Sequence, residues 1–114
     1  MSILCVGISH RSAPVAVLET MALDSDGAAK LAHAAAETEH VLEAVVVSTC
    51  NRVEMYAEVD RFHGSVEDVS GLMCDLAGGD RAELVSYLYV HYDEGALAHL
   101  FAVTAGLDSM VVGA

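Results

Sequence analysis

An α/β fold of the α+β sandwich kind is what the 114-residue sequence predicts. Three observations carry it: four short β-prone runs, helical periodicity in the stretches between them, and two β-prone runs in mid-chain set so close that a hairpin is the simplest join. In chain order they give βααββαβα. That order resembles a ferredoxin-like arrangement with an extra N-terminal helix and a four-stranded, mainly antiparallel sheet.

Ile3 to Ile8 is apolar, β-branched and too short for a helix, so it reads as a buried strand. The loop "SHRSAP" follows, and Pro14 at a first helical position opens a short helix through "VAVLETMA". "LDSDG" breaks that pattern. The alanine-rich "SDGAAKLAHAAAETE" forms the second predicted helix, with Ala28, Leu31 and Ala35 at helical spacing and acidic residues at the end where the dipole favours them. "LEAVVVSTC" and "VEMYAEV" are strands joined by "NR", with Glu54, Tyr56 and Glu58 alternating against Met55, Ala57 and Val59. "SVEDVSGLMCDLAG" puts Val66, Val69, Met73 and Leu76 on one helical face, closed by Gly78 and Gly79. "YLYVHY" is the fourth strand. Asp93 is placed to cap "EGALAHLFAVTAG", whose apolar face is Leu97, Leu100, Phe101 and Val103 and whose stop is Gly106.

A chain of this length builds one core, and 54% apolar residues with a single proline argue against disorder. No apolar run approaches the ~18 residues of a membrane span, and "MSILCVGISHRSAP" lacks the basic start of a secretory signal. These features predict a cytoplasmic protein with no membrane partner and with reduced cysteines. The net charge of -12, from 17 acidic against 5 basic residues, opposes generic binding to phosphate backbones, so any RNA contact is local. No GxGxxG or GxxxxGK[ST] stretch offers a phosphate cradle.

Cys5, Cys50 and Cys74 form no CxxC pair and no zinc spacing, and no metal site is predicted. Cys5, inside the first strand, and Cys74, beside Met73, read as small core hydrophobes. Cys50 closes a strand among polar neighbours, where Arg52 can favour the nucleophilic thiolate. Of six histidines, His99 stands out, next to Leu100 and Phe101 on the core-facing side of the last helix.

The segments "GISHRSAPVAVLE", "VVVSTCNRVEMYAEV" and "AHLFAVTAGLDSMVVG" together resemble the N-terminal catalytic domain of glutamyl-tRNA reductase, and they anchor the resemblance from Gly7 to Gly113. The resemblance implies an NADPH-dependent conversion of glutamyl-tRNA to glutamate 1-semialdehyde, the opening step of tetrapyrrole (haem and chlorophyll) biosynthesis. Cys50 matches the cysteine that attacks the aminoacyl ester, releases tRNA and leaves a thioester. That role suits a thiol, which is a strong nucleophile and whose thioester accepts hydride more readily than an oxygen ester. Arg52 matches the arginine that holds the substrate's side-chain carboxylate in a bidentate grip. Thr49 and Ser109 match groups that hydrogen-bond the glutamyl moiety, and His99 matches a histidine acting as an acid or as a polariser of the carbonyl. Ser9, His10 and Arg11 match a motif of the site region, Asn51 belongs to the "TCNR" motif, and Glu54 matches an acid expected to support the loop.

Ala114 stands where family members carry the acid of a "GE" dipeptide. The resemblance places an NADPH-binding domain and a dimerisation domain beyond residue 114. Residues 1-114 are therefore expected to be a truncated, glutamyl-binding catalytic domain that binds no cofactor itself. It would hold the acyl group on Cys50, or hydrolyse the ester slowly, without completing the reduction. Expected partners are the acceptor end of glutamyl-tRNA, a second copy in the full-length homodimer, and glutamate-1-semialdehyde aminomutase. Competing readings are a ferredoxin-like ligand-binding or regulatory module without a reactive thiol, and a redox switch on Cys50, which lacks a resolving cysteine nearby in sequence.

Overall fold

The computed structural model describes residues 2–78 and 80–113, with the side chains of 106–113 outside the described set. The elements run β1 Ser2–Ser9, α1 Val15–Met21, α2 Ser25–Ala36, β2 Val41–Ser48, β3 Arg52–Val59, α3 Phe62–Ala77, α4 Arg81–Val85, β4 Tyr89–Tyr92 and α5 Glu94–Gly113. The sheet order is β2-β3-β1-β4, with every neighbouring pair antiparallel. This is the predicted sandwich, with one helix more than the sequence reading gave. The five-residue α4 is capped by Asp80, whose side chain accepts from the Ala82 amide at 3.1 Å. One turn carries too little periodicity to be seen in the sequence.

Strand β1 lies between two partners and is buried from Leu4 to Ser9, hence its unbroken apolar run. Its residues alternate between two faces. Leu4, Val6 and Ile8 join Val53, Met55, Ala57 and Val59 under Leu18, Met21, Leu31, Ala35, Val69 and Met73, so α1, α2 and α3 close the main core. Cys5 and Gly7 face the other way. There Cys5 is flanked by Tyr56 and His91, and Gly7 by Glu54 and Tyr89.

Three predicted details change. On α3 the buried residues are Ser65, Val69, Gly71, Met73 and Cys74, while Leu76 is 49% exposed. Small side chains let the helix backbone approach the sheet, and a count of hydropathy underweights them; the Ser65 hydroxyl is satisfied by donating to the Arg61 carbonyl at 2.6 Å. On α5, Ala96 and Val103 are buried whereas Leu97 and Phe101 are exposed, the latter at 72%. Gly106 does not stop this helix, since an interior glycine weakens a helix by only about 1 kcal/mol. Asp93 stands at the start of α5 as expected, its carbonyl accepting from the Leu97 amide at 3.0 Å. At φ 51°, Asp93 accepts from the Ile3 amide through its carboxylate and donates its own amide to the Ile3 carbonyl, tying the start of α5 to β1.

Candidate active site

The hairpin between β2 and β3 turns through Thr49, Cys50 and Asn51. The Thr49 amide donates to the Arg52 carbonyl at 2.8 Å, and the Asn51 amide to Thr49 Oγ1 at 3.2 Å. Cys50 is exposed at the apex, the only exposed one of the three cysteines. The loop after β1 is tied to this apex, because the His10 amide donates to the Asn51 carbonyl at 3.0 Å. Ser9 shapes that loop: its carbonyl accepts from the Ser12 and Ala13 amides, and its hydroxyl accepts from the Arg11 amide. The sequence-predicted groups Ser9, His10, Arg11, Thr49, Cys50, Asn51 and Arg52 are thus brought together by backbone bonds.

Beside the apex is a cavity of about 510 Å³, whose walls include Ser9, Arg11, Arg52, Tyr89, His91 and His99. Two arginines give it a local positive field within an acidic chain. Behind the wall lies Glu54, wholly buried. Its Oε1 accepts from the Tyr56 hydroxyl at 2.9 Å, its Oε2 accepts from Tyr89 and pairs with His99 Nε2, and the Arg52 guanidinium lies 3.5 Å away. Glu54, expected to support the loop, touches Arg52 at the loop's end and is also the hub beneath the cavity. Burial pushes its carboxyl up, but hydrogen bonds from Tyr89, His99 and Tyr56 outweigh that and hold it below the usual carboxylate value. Burial, and then the nearby carboxylate, raise Tyr89, which stays a donor at neutral pH.

Cys5 is buried as predicted, but against Glu54 and Tyr56 rather than in the main core, and burial followed by the Glu54 charge pushes its thiol up to about 12. Ligand atoms of Cys5, Glu54 and His99 lie within 4.8 Å of one another, a spacing that could hold a metal ion. Such an ion would have to deprotonate that thiol and displace two tyrosine hydroxyls, so the arrangement is better explained as a hydrogen-bond network. Cys74 lies in the main core as predicted.

A family model described as "Glutamyl-tRNAGlu reductase, N-terminal domain" matches residues 6–114. The chain belongs to the glutamyl-tRNA reductase N-terminal domain family. It is 63% identical over 113 residues to glutamyl-tRNA reductase 1 of Nocardioides sp., a match covering 99% of this chain and 26% of that protein. It is 52% identical to the glutamyl-tRNA reductase of Streptomyces coelicolor (99% and 19%) and 51% identical to that of Thermobifida fusca (99% and 24%). The chain therefore spans about a quarter or less of the length of these relatives.

For this member of the reductase family, the site contains two residues that sequence reasoning passed over. His91 stacks on His99 with ring centroids 4.3 Å apart and 26° between planes, and Tyr89 meets His99 edge-on at 5.3 Å. Burial and then His99 hold His91 below the usual imidazole value. A signal existed: Gly7 inside a strand marks a close approach, and period-two pairing from it leads to Glu54 and Tyr89. Ser109 lies outside the described side chains.

Proposed function

We propose that this chain is the glutamyl-accepting catalytic domain of a glutamyl-tRNA reductase. The observation that carries the reading is an exposed thiol on the hairpin turn that leads into Arg52, which lines a cavity together with His99. Arg52 takes the side-chain carboxylate of the glutamyl group with the N–H groups it does not turn to Glu54. Thr49, at the base of the apex, hydrogen-bonds the same moiety, as does Ser109. The Cys50 sulfur attacks the ester carbonyl; a C–S bond forms, the C–O bond to the tRNA ribose breaks, and the leaving oxygen takes a proton from His99. The products are a Cys50 thioester and free tRNA. Reduction of that thioester to glutamate 1-semialdehyde, which opens tetrapyrrole (haem) synthesis, rests on family membership.

On this reading the described residues hold the glutamyl group and do not hold NADPH. No GxGxxG turn joins a strand to a helix among them, and the cavity with its two arginines suits one glutamyl group. No hydride step is assigned to them. Dimerisation and passage of the product to an aminomutase are likewise proposals drawn from the family. No helix of the described chain is long and apolar enough to cross a membrane; a cytoplasmic setting is a further part of the proposal.

Intact-mass spectrometry after incubation with glutamyl-tRNA tests the reading. A hydroxylamine-labile glutamyl adduct is expected on Cys50, absent in Cys50→Ser and retained in Cys5→Ser and Cys74→Ser. Equal loss in all three variants, or no adduct and no accelerated ester loss, would overturn it in favour of a binding module without a reactive thiol.

A further inference from the structure

Glu54 is a carboxylate with no access to solvent, yet it is surrounded by hydrogen-bond donors from three elements. Tyr56 and Arg52 come from its own strand, Tyr89 from β4 and His99 from α5. A buried carboxylate so supplied remains ionised, and an ionised carboxylate only accepts. The contact with His99 therefore requires a proton on Nε2. Neutral imidazole has one N–H, so Nδ1 carries the lone pair. No hydrogen bond to Nδ1 is recorded among the described residues, and the ring is held flat by His91 on one side and the edge of Tyr89 on another, with the cavity alongside.

From this geometry we infer that Glu54 is the positioning residue of the acyl-transfer step: it fixes His99 as the Nε2–H tautomer and leaves Nδ1 as the nitrogen that exchanges a proton with the reacting groups. The inference rests on the acyl-transfer reading above. The proton balance closes: Nδ1 takes the thiol proton as the C–S bond forms and returns it to the ribose oxygen as the C–O bond breaks. Between those events His99 is an imidazolium held against a carboxylate, an arrangement that lowers the barrier electrostatically. The other titratable or charged groups facing His99 are Cys5 from β1, Tyr89 and His91 from β4 and Arg52 from β3, with His10 and Arg11 across the cavity. Two stacked imidazoles disfavour a double charge, so His91 stays neutral while His99 carries the proton.

The test uses the 114-residue chain labelled with ¹⁵N in its imidazoles, compared with Glu54→Gln. The wild type is expected to show neutral His99 as the Nε2–H tautomer; Glu54→Gln is expected to mix the tautomers. In parallel, acylation of Cys50 by glutamyl-tRNA is expected to slow by roughly 10²-fold in Glu54→Gln, the low end of what a positioned acid–base group supplies. Glu54→Gln/His99→Asn should be little slower than His99→Asn alone. Should Glu54→Gln not fold, Glu54→Asp is expected to show the same tautomer mixing in weaker form. An Nδ1–H tautomer in the wild type, or a tautomer indifferent to Glu54, would overturn the inference. Absence of any Cys50 adduct in the wild type would instead overturn the acyl-transfer reading, and the tautomer measurement is independent of it.

Discussion

A Cβ added to Gly7 would lie 2.8 Å from Glu54 Cγ and 2.9 Å from the Tyr89 ring, the two groups that meet His99 from β3 and β4. Neither neighbour can retreat, since Glu54 is sealed on all sides and Tyr89 is bound to it. Gly7→Ala is therefore expected to lose about 1–3 kcal/mol in urea unfolding. It should also slow acylation of Cys50 although it touches no substrate, which single-turnover assays would register. At this scale the sequence showed identities better than depths. The motif around Cys50 and Arg52 is contiguous and was legible at once. That Glu54 is the hub was not, because its donors Tyr89 and His99 lie 35 and 45 residues away and only strand register brings them in.

Among the elements, the hairpin and the central strand were legible because alternation and a continuous apolar run map directly onto one buried face or two. Helix phase was harder. On α3 the sequence favoured the large residue Leu76, whereas the packed stripe runs through small Ser65, Gly71 and Cys74. Paired substitutions measure the difference: Met73→Ala is expected to cost about 2–5 kcal/mol, and Leu76→Ala to stay within about 0.5 kcal/mol. Similar losses at both sites would place the stripe where hydropathy put it. On α5, His99 interrupts the apolar pattern because it faces a carboxylate rather than the core, so a polar residue occupies the inward position and Phe101 points out.

For the molecule as a whole, acidity acts in two directions. Most of the 17 carboxylates repel one another at pH 7, and protonating them on mild acidification relieves that strain. Glu54 works the other way. Its folded carboxyl lies below the ordinary value, so its contribution to stability is complete above that ordinary value, near 4.5, and disappears as pH falls through the folded one. Unfolding free energy followed against pH is expected to decline below about pH 4.5 in the wild type and to decline less steeply in Glu54→Gln. Equal slopes would mean that surface carboxylates alone set the acid limit. The edge strands β2 and β4 leave Val45 at 61% and Val90 at 40% exposure.

The order of strands also fixes an order of assembly. Strands β2 and β3 are separated by a three-residue turn, so the hairpin bearing Cys50 has low contact order and can close within microseconds. The second edge of β1 must wait for Tyr89–Tyr92, more than eighty residues downstream. On a growing chain Cys50 is thus presented long before His99 arrives, and pairing of Glu54 with His99 reports that the domain has finished folding.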